Sequence, residues 1–598
     1  MKKRATGLAL LTLRWRRFTR NDQVILTILA VVIGVGVAAA AIGFRELLGA
    51  VQQLGYGFST EDVFSRVSAL PWWQVLLVPV AGGLAVGGFI HLFMPGRRPQ
   101  GVADVIEAGA LHGGQLSLNL GLKAVLVNAV SLGAGASAGR EGPMVHLGGA
   151  IASYVARRMH LNPSLALTLL GCGVAAGVAA SFNAPIAGVF FALEVVIGHY
   201  ALHAFAPIVI AAVAGTVISR LRYGDFPAFT VPDYGLVAVP EYAAFFALGL
   251  ICAGVAVLFV RTIAAASDAF DKSRAPVWLR PAVAGLIVGA IAIVFPQVLG
   301  VGYEATDTAL KGGFGIGLLI ALVIAKTVAT GVSLGGRFGG GVFSPSLFVG
   351  AMAGGALGVA IAALFPGAAI EPGFYAMIGM GAVAAPVIGA PISTILIAFE
   401  LTGDMSVTIA AMVAVAVSSL VTQQAFGKSF FHWQLERRGL NLRSGRIEHL
   451  LKTRRVGDLM TQEYDTIPEN APIAHIRSIL ESSAYGDFFV VGAAGELIGT
   501  ITFADIKAVA FDPTLDHLIN ARDIARLHPT VLHAGDDLEK TLKGMDGSGE
   551  ESLPVVDDGA SMRILGIVHH KAALVAYNRA LMQAREEEHD ERRRHGRR

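Results

Sequence analysis

The sequence has few charged residues and almost no cysteine. Aspartate, glutamate, lysine and arginine make up 15% of the 598 residues, against roughly 25% in an ordinary soluble domain. The two cysteines, Cys172 and Cys252, both lie in apolar runs, which argues against a disulfide framework or a cysteine-based metal site. The net charge of +3 is not gathered into a basic face over most of the chain, so no nucleic-acid partner is expected.

Apolar residues and glycine are abundant instead. The chain is 54% hydrophobic, contains 72 glycines and has a mean hydropathy of +0.61. Helices buried in lipid carry few charges and pack closely through small residues, so we expect a polytopic membrane protein. The first apolar run, Val24–Phe44, follows a basic stretch and exceeds the roughly 7–15 residues of a signal-peptide core. It predicts a retained transmembrane helix with its N-terminal flank in the cytoplasm.

The apolar segments continue to about Thr422. Several are shorter than the ~20 residues that span a bilayer as a helix, and many are interrupted by Gly or Pro, which is typical of transporters with half-helices. A basic run from Arg437 to Arg455 then predicts a second cytoplasmic flank, so the chain crosses the membrane an even number of times. We assign residues 1–445 to this all-α membrane domain and expect it to lie in the cell membrane.

The membrane region contains an internal repeat. The segment Asn183–Glu194 resembles Gly389–Glu400, and Gly142-Pro143 resembles Ser344-Pro345, with offsets of 206 and 202 residues. We therefore expect two halves, at about 21–230 and 240–438. Because both termini are placed in the cytoplasm, each half can cross an odd number of times, which gives an inverted repeat. Substrate sites in such proteins lie at the interface between the halves.

The C-terminal part is predicted to be an α/β domain built from two similar units, at 454–512 and 518–579. Each unit has a strand, a helix, a β-branched strand, a glycine turn, another strand and a closing helix. The last segment, 580–598, is a mixed run of charges that we interpret as solvated.

The candidate functional site begins in the glycine-rich stretch Gly133–Gly149. It opens a helix at Gly142-Pro143, since proline is favoured in the first turn. The exposed N–H groups and the dipole of a helix start attract an anion. Glu141 lies at this start, where its carboxylate can occupy the anion position, and an ionisable residue at membrane depth is a functional candidate. For Arg140 we expect a structural role.

The second half repeats this arrangement in Gly339–Pro345. The N–H groups of Val342 and Phe343 are expected to face the same point from the other half, although the Phe343 ring could equally pack in the core. Two such helix starts form an anion site without a full positive charge, which permits release as well as binding. His146 is interpreted as a packing residue because no second ligand lies at metal-binding spacing. No nucleophile–base pair or metal cluster stands out, so an enzyme is not predicted.

These motifs resemble the CLC family of chloride channels and proton-coupled exchangers. The motifs on which the resemblance rests are GREGP at Gly139–Pro143, GVFSP at Gly341–Pro345 and NAPIAGVFFALE at Asn183–Glu194. The C-terminal units resemble a pair of CBS domains. The resemblance implies a homodimer with one chloride pathway per subunit, gated by Glu141. The anion-binding residues expected on these grounds are Gln100, Gly101, Arg140, Glu141, Gly142, Gly341, Val342, Phe343 and Phe431.

Two positions depart from the family pattern at the anion site. Gln100 stands where the family usually has a serine that touches the anion, which leaves the choice between chloride, nitrate and fluoride open, although the Gln amide can still donate. Phe431 stands where the family has a tyrosine and supplies no hydroxyl. Either His432 or backbone groups compensate, or the central site is weaker, or it is a narrow apolar constriction.

A third departure concerns protons. Many exchangers of the family carry an inner glutamate directly after the position of Glu194, and here that residue is Val195. A proton needs a relay of ionisable groups across the membrane, so channel-like, uncoupled conduction is favoured over chloride/proton antiport. Glu194 is interpreted as structural because Glu400 repeats it. A CBS-regulated cation transporter is a weaker alternative, since cation pathways use rings of Asp or Glu.

The CBS-like pair suggests a nucleotide ligand. In the resemblance, Thr502 and Asp505 of the first unit match the usual pattern, with Asp505 expected to take the ribose hydroxyls of an adenine nucleotide. The second unit lacks the aspartate, so at most one site is expected. A purely structural dimerisation module is an equal alternative, and no other cofactor is expected.

Overall fold

The structure is a computed structural model that describes residues 22–198, 200, 202–224, 229, 241–366, 370–440, 454–483, 486–507, 518–548, 550–557 and 561–579. The N-terminal basic stretch, most of the basic run after 440 and the charged segment 580–598 lie outside these residues. The chain divides into two units, residues 1–440 and 441–598.

The long elements in the described part of the first half of the membrane unit are helices. Its α-helices are α1 Asp22–Tyr56, α2 Val63–Val67, α3 Trp72–Phe93, α4 Val102–Leu111, α5 Leu118–Gly133, α6 Glu141–Arg158, α7 Pro163–Phe182, α8 Pro185–Phe191 with a π-helical continuation Ala192–Ile197, and α9 Leu202–Tyr223.

In its described part the second half is also built from long and short helices. They are α10 Glu241–Lys272, α11 Arg280–Val294, α12 Tyr303–Leu310, α13 Ile316–Gly335, α14 Phe343–Leu364, α15 Pro372–Ile388, α16 Pro391–Thr402, α17 Met405–Ala425 and α18 Phe430–Arg437. Across the described part of both halves, eight helices are long and apolar enough to span a membrane. The shorter ones between them fit the predicted half-helices.

The same local signals mark the starts and ends of matching helices in the two halves. Proline lies in the first turn of α7, α8, α15 and α16, where its missing N–H is not needed. Helices α7 and α15 end at left-handed residues, Asn183 with φ 59° and Gly389 with φ 80°. Glycine and asparagine tolerate this conformation, so each half turns sharply into its next short helix.

Helix packing also repeats between the halves. Helix α6 packs on α7 as α14 packs on α15, and α1 packs on α9 as α10 packs on α17. A Cβ atom at Gly148 would lie 2.1 Å from the Gly173 carbonyl oxygen, and one at Gly350 would lie 2.3 Å from that of Gly379. These crossings require glycine, which accounts for part of its abundance. The internal repeat inferred from two motifs therefore extends to the packing of these helices.

Two glutamates link the halves reciprocally. The Glu400 carboxylate accepts hydrogen bonds from the backbone N–H groups of Ile186 and Ala187, both at 2.8 Å. The Glu194 carboxylate accepts from those of Ile392 and Ser393, at 3.0 and 2.9 Å. Each carboxylate thus caps the start of a helix in the other half, where the backbone donors would otherwise be unsatisfied. The shared structural role expected for this pair agrees with these contacts.

We expect Glu400→Ala and Glu194→Ala each to lower the free energy of unfolding by about 1–2 kcal/mol, since each leaves first-turn donors uncapped. The measurement is the midpoint of thermal unfolding in detergent. Glu400→Gln, which keeps one acceptor, should lose less than Glu400→Ala. Unchanged midpoints in both alanine variants would show that the caps contribute nothing.

The described part of the C-terminal unit contains two sheets. Its elements are β1 Asp465–Pro468, α19 Ile473–Ser482, β2 Asp487–Val491, β3 Leu497–Thr502, α20 Phe503–Lys507, α21 Ala521–Ile524, β4 Arg526–Leu527, β5 Leu532–His533, α22 Leu538–Ser548, β6 Ser552–Val556 and β7 Ile564–His569. The order is β1-β2-β3-β4 in one sheet and β5-β6-β7 in the other. In each, a parallel pair is followed by an antiparallel pair.

The two sheets share an apolar contact. Phe489 and Leu497 of the first sheet form a buried cluster with Val556 and Ile567 of the second. Strand β3 ends at Thr502, which leads directly into the short helix α20. The fold therefore places Thr502 and Asp505 at a strand-to-helix turn.

Candidate functional site

The two glycine-rich motifs of the membrane unit meet through their backbones. The N–H of Gly139 donates to the carbonyl of Gly341 at 2.7 Å, and the N–H of Gly341 donates to that of Gly139 at 2.8 Å. Gly340 has φ +149°, and a Cβ atom there would lie 2.3 Å from the Ala138 Cβ, so only glycine fits. Helices α6 and α14 each begin two residues beyond this pair. Their N-termini, with the unsatisfied N–H groups, are thereby brought together.

Glu141 is buried between these helix starts. Its side chain is 1% exposed, and its Oε1 accepts a hydrogen bond from the Tyr303 hydroxyl at 2.8 Å and another from the Ser344 hydroxyl. Its Oε2 has no hydrogen-bond partner among the described residues. Because Ser344 is the second residue of α14, the carboxylate of the first half lies at the helix start of the second half. A negative charge is therefore already placed where two helix dipoles favour one.

Arg140 points to a different partner. Its Nη1 donates to Glu61 at 2.8 Å, Glu61 is also paired with Arg45 at 2.6 Å, and the guanidinium lies 4.5 Å from the centroid of the Tyr303 ring. Arg140 is 7% exposed. These contacts fit the structural role expected for Arg140 better than direct anion binding.

The remaining residues of the motif pair are packed into the same region. Gly142, Gly341, Val342 and Phe343 are at helix starts, and the side chains of Val342 and Phe343 are 0% and 3% exposed. The Phe343 ring contacts aromatic rings of the first half, with centroid distances of 4.9 Å to Phe182 and 5.9 Å to Phe191. The Phe343 side chain thus packs in the core, while its backbone lies at the start of α14.

Gln100 and Gly101 lie at the start of α4. The Gly101 N–H donates to the Asp104 carboxylate at 2.7 Å, and the Gln100 amide nitrogen, in the orientation that satisfies both amide atoms, donates to Asp104 at 2.8 Å. Arg98 and Arg438 pair with the same carboxylate at 2.6 and 3.0 Å. The two donors predicted for an anion are therefore engaged by Asp104 in this conformation.

Phe431 lies in the first turn of α18, which packs against α4 and α15. It is 4% exposed, and its ring is 5.8 Å from that of Phe430. The neighbouring His432 shares a hydrogen bond with Ser429 at 2.9 Å through its Nδ1. Helix α18, which carries Phe431, thus packs on the helix that Gly101 begins. The predicted residues therefore belong to two groups of elements, the helix starts around Glu141 and the pair α4 and α18.

A cavity of about 210 Å³ lies beside the first group, and Arg140 and Tyr303 are among its lining residues. Four buried polar atoms of its lining have no partner in the described part of the chain: the Thr60 and Tyr223 hydroxyls, the Arg140 Nε and the Gln297 Oε1. Buried polar atoms are normally hydrogen-bonded, often to water, so we expect this cavity to be hydrated. Tyr303 contacts both the cavity and Glu141.

Three residues at this site carry little or no signal in the sequence. Tyr303 follows the turn Gly300-Val-Gly302, and a lone tyrosine there has no motif of its own. Ser344 is marked in the sequence only by its place in the repeat. Lys326 is 0% exposed, and its Nζ donates to the carbonyls of Val298 and Gly300, both at 2.9 Å. An intramembrane lysine is the one signal of the three that could have been taken from the sequence.

The two residues predicted to bind a nucleotide, Thr502 and Asp505, are in contact in the C-terminal unit. The Asp505 carboxylate accepts from the Thr502 hydroxyl at 2.6 Å and its backbone N–H at 2.9 Å, and it pairs with Arg526 at 3.0 Å. Burial alone would raise the pKa of Asp505, but the hydrogen bonds from Thr502 and Arg526 outweigh it and hold that pKa below its usual value. Asp505 is therefore a fixed, charged acceptor.

Comparisons with known proteins agree with these motifs. The chain matches the family model for voltage gated chloride channels over residues 82–423 and that for CBS domains over residues 456–512 and 521–579. It is 36% identical over 404 residues to a protein of Ralstonia nicotianae described as a putative chloride channel protein, ClcB-like. The alignment covers 67% of this chain and 94% of that protein.

Two further matches extend the comparison. The chain is 29% identical over 436 residues to the H(+)/Cl(-) exchange transporter ClcA of Vibrio cholerae, which covers 71% of this chain and 92% of that protein. Among solved structures it is similar in fold to a eukaryotic CLC transporter, with a TM-score of 0.61 and 19% identity over 92% of this chain and 97% of the other. The last likeness includes the C-terminal unit.

Proposed function

We propose that Glu141 gates the anion pathway of this protein and that conduction is not coupled to protons. The proposal starts from the family: the chain belongs to the voltage gated chloride channel family. It is therefore an integral multi-pass membrane protein that transports anions, and not an enzyme. The observation that carries the proposal is the burial of the Glu141 carboxylate at the start of α14. A carboxylate that occupies an anion position blocks anions until it leaves. The Gly139–Gly341 pair supports this by holding both helix starts together.

The test is anion efflux from liposomes that contain the purified protein. We expect chloride to leave protein-containing vesicles much faster than protein-free vesicles, with nitrate and fluoride measured in parallel to define the preference that Gln100 leaves open. Efflux of none of the three anions above that of protein-free vesicles would contradict the proposal.

Absence of proton coupling is supported at two positions. Val195 supplies no titratable group, and the Glu194 carboxylate beside it is engaged by the backbone of Ile392 and Ser393. A proton would need another relay across the membrane. The Glu194 carboxylate, held by these backbone groups, thus differs from an inner carboxylate that is available to accept a proton.

Chloride/proton antiport is the second candidate. It is favoured by the match to a protein named as an H(+)/Cl(-) exchange transporter, and the expected hydration of the cavity beside Tyr303 would supply protons to one side of Glu141. Antiport also requires protons to cross from Glu141 to the other side of the membrane. The described residues next to Val195 in the chain offer no free carboxylate for that step.

Gln100, Gly101 and Phe431 are proposed to line a second part of the pathway, next to α4. Anion binding there requires Asp104 to release the Gly101 N–H and the Gln100 amide. The two arginines on Asp104, Arg98 and Arg438, can retain its charge when it does so. The proposed assembly is a homodimer in the cell membrane with both termini in the cytoplasm, which rests on family resemblance and on the basic flanks.

The proposed ligand of the C-terminal unit is an adenine nucleotide, bound through Thr502 and Asp505. We expect the purified full-length protein to bind ATP, ADP or AMP at one site per chain in equilibrium dialysis. Asp505→Ala should weaken binding by about tenfold, since hydrogen bonds to a charged group contribute about 1.5–3 kcal/mol. Asp536→Asn, at a carboxylate that accepts from His533 and Lys540 in the second repeat, is the control. Lack of binding to all three nucleotides would favour a purely structural module.

A further inference from the structure

The Glu141 carboxylate is held by two hydroxyl groups from different elements of the second half. Tyr303 begins α12 and Ser344 lies in the first turn of α14, and both donate to the same oxygen, Oε1. The three side chains are all buried, with exposures of 8% for Tyr303, 2% for Ser344 and 1% for Glu141. Neither hydroxyl was part of the predicted anion site.

The Tyr303 hydroxyl has a fixed position because the residue is held on several sides. Its ring lies against the Arg140 guanidinium at 4.5 Å. Gly302, just before it, has φ +90°, and a Cβ there would lie 2.7 Å from the Phe348 ring. Lys326 fixes the carbonyls of the preceding turn. Since the donor is already ordered, its bond to Glu141 costs little additional conformational entropy.

The chemistry of these two donors suits a carboxylate that must both stay and leave. Hydroxyl groups stabilise the charged carboxylate through hydrogen bonds, but they carry no net charge. Arg140, which precedes Glu141 in the chain, attracts its carboxylate electrostatically, but it donates to Glu61 and makes no hydrogen bond to Glu141 among the described contacts. A buried ion pair would cost far more to break. Two neutral donors therefore fix the position of the Glu141 carboxylate and bind it with moderate strength.

We propose that Tyr303 and Ser344 are positioning residues that hold Glu141 in its blocking position and thereby set how readily the anion pathway opens. This rests on the proposed role of Glu141 as the gate. In this proposal the hydroxyls act through the carboxylate and not as donors to the anion.

The first test removes the hydroxyls one at a time. Tyr303→Phe and Ser344→Ala should each raise chloride flux at neutral pH by about three- to tenfold, because each removes one bond that retains the carboxylate. Flux in each variant should also reach half its maximum at a higher pH than in the unmodified protein, since the charged carboxylate has lost a donor. The two substitutions together should exceed either alone.

Two matched variants control for the loss of a buried hydroxyl. Tyr375 is 1% exposed and its hydroxyl has no partner among the described residues. Ser346, in the same turn of α14 as Ser344, donates to the Phe343 carbonyl at 2.7 Å. Tyr375→Phe and Ser346→Ala should leave the flux and its pH profile unchanged. Should one positioning variant fail to fold, the other still decides the question.

The second test repeats the substitutions in a Glu141→Ala background. If the hydroxyls act through Glu141, Tyr303→Phe and Ser344→Ala change nothing there. Equal increases in both backgrounds, no increase in the unmodified protein, or a decrease there would each overturn the proposal. Failure of the gate itself has a separate signature, since Glu141→Ala alone would then leave flux and its pH profile unaltered.

Discussion

Glu141→Gln and Glu141→Ala are expected to raise chloride flux at neutral pH by at least about tenfold and to remove its dependence on pH. Two hydrogen bonds hold the carboxylate at the start of α14. A hydrogen bond to a charged group contributes about 1.5–3 kcal/mol, and about 1.4 kcal/mol changes an equilibrium tenfold. Glutamine lacks the charge that the helix dipoles favour, and alanine leaves the position empty.

The measurement is chloride efflux from proteoliposomes between about pH 4 and pH 8, a range that covers the titration of carboxylates. Glu371→Gln is the control, because Glu371 is an exposed carboxylate of the same unit at the start of α15. Flux and gating that are the same in Glu141→Gln as in the unmodified protein would refute the assignment of Glu141.

Lys326→Ala is expected to cause the largest loss of stability among single substitutions near the site. The lysine is fully buried and donates to the carbonyls of Val298 and Gly300, and its Nζ lies 5.0 Å from the Phe348 ring centroid. Its removal leaves two buried carbonyls without a donor and opens a cavity. The expected loss is about 3–5 kcal/mol, and it should appear as a lower midpoint of thermal unfolding.

The repeat provides a matched control for Lys326. Lys123 lies in the matching helix α5, one residue before the position that the 202-residue offset pairs with Lys326; it is partly exposed and donates to the Phe93 carbonyl at 3.3 Å. Lys123→Ala should therefore cost less than about 1 kcal/mol, as exposed interactions do. Lys326→Met, which retains volume, should fall between the two alanine variants. Equal midpoints for Lys326→Ala and Lys123→Ala would show that the two carbonyl contacts contribute nothing.

The architecture could be predicted well from local signals. Proline in a first turn and glycine or asparagine after a last turn mark helix ends, and the offset between two motifs predicted the repeat. The Gly-Arg-Glu-Gly-Pro and Gly-Val-Phe-Ser-Pro motifs placed Glu141 and Phe343 at helix starts, where the structure has them. Such features depend on neighbouring residues in the chain and are therefore visible in a single sequence.

The partners of the site residues could not be predicted, since they come from distant parts of the chain. Tyr303 is 162 residues from Glu141, and the Arg140 partner Glu61 lies in a different connection, 79 residues away. Gln100 offered an amide to an anion by resemblance, but its orientation depends on Asp104, which is in turn fixed by Arg98 and Arg438. Side-chain choices of this kind are settled by three-dimensional packing.

The interpretation of Glu194 illustrates what a repeat adds. A single intramembrane carboxylate beside Val195 could have been a substitute proton carrier. Its counterpart Glu400 indicated a role common to both halves, and the reciprocal helix caps explain that role physically. This assignment removes the carboxylate closest in sequence to the missing inner glutamate from the set of free proton acceptors.

The most direct test of uncoupled, Glu141-gated conduction is proton movement in liposomes that contain the purified protein. A steep chloride gradient is imposed with no proton gradient, and the membrane potential is clamped at zero so that a passive proton leak has no driving force. Chloride that flows while protons do not move is the result we predict. Protons that move under these conditions would contradict it and would show chloride/proton exchange by a route that does without a carboxylate at position 195.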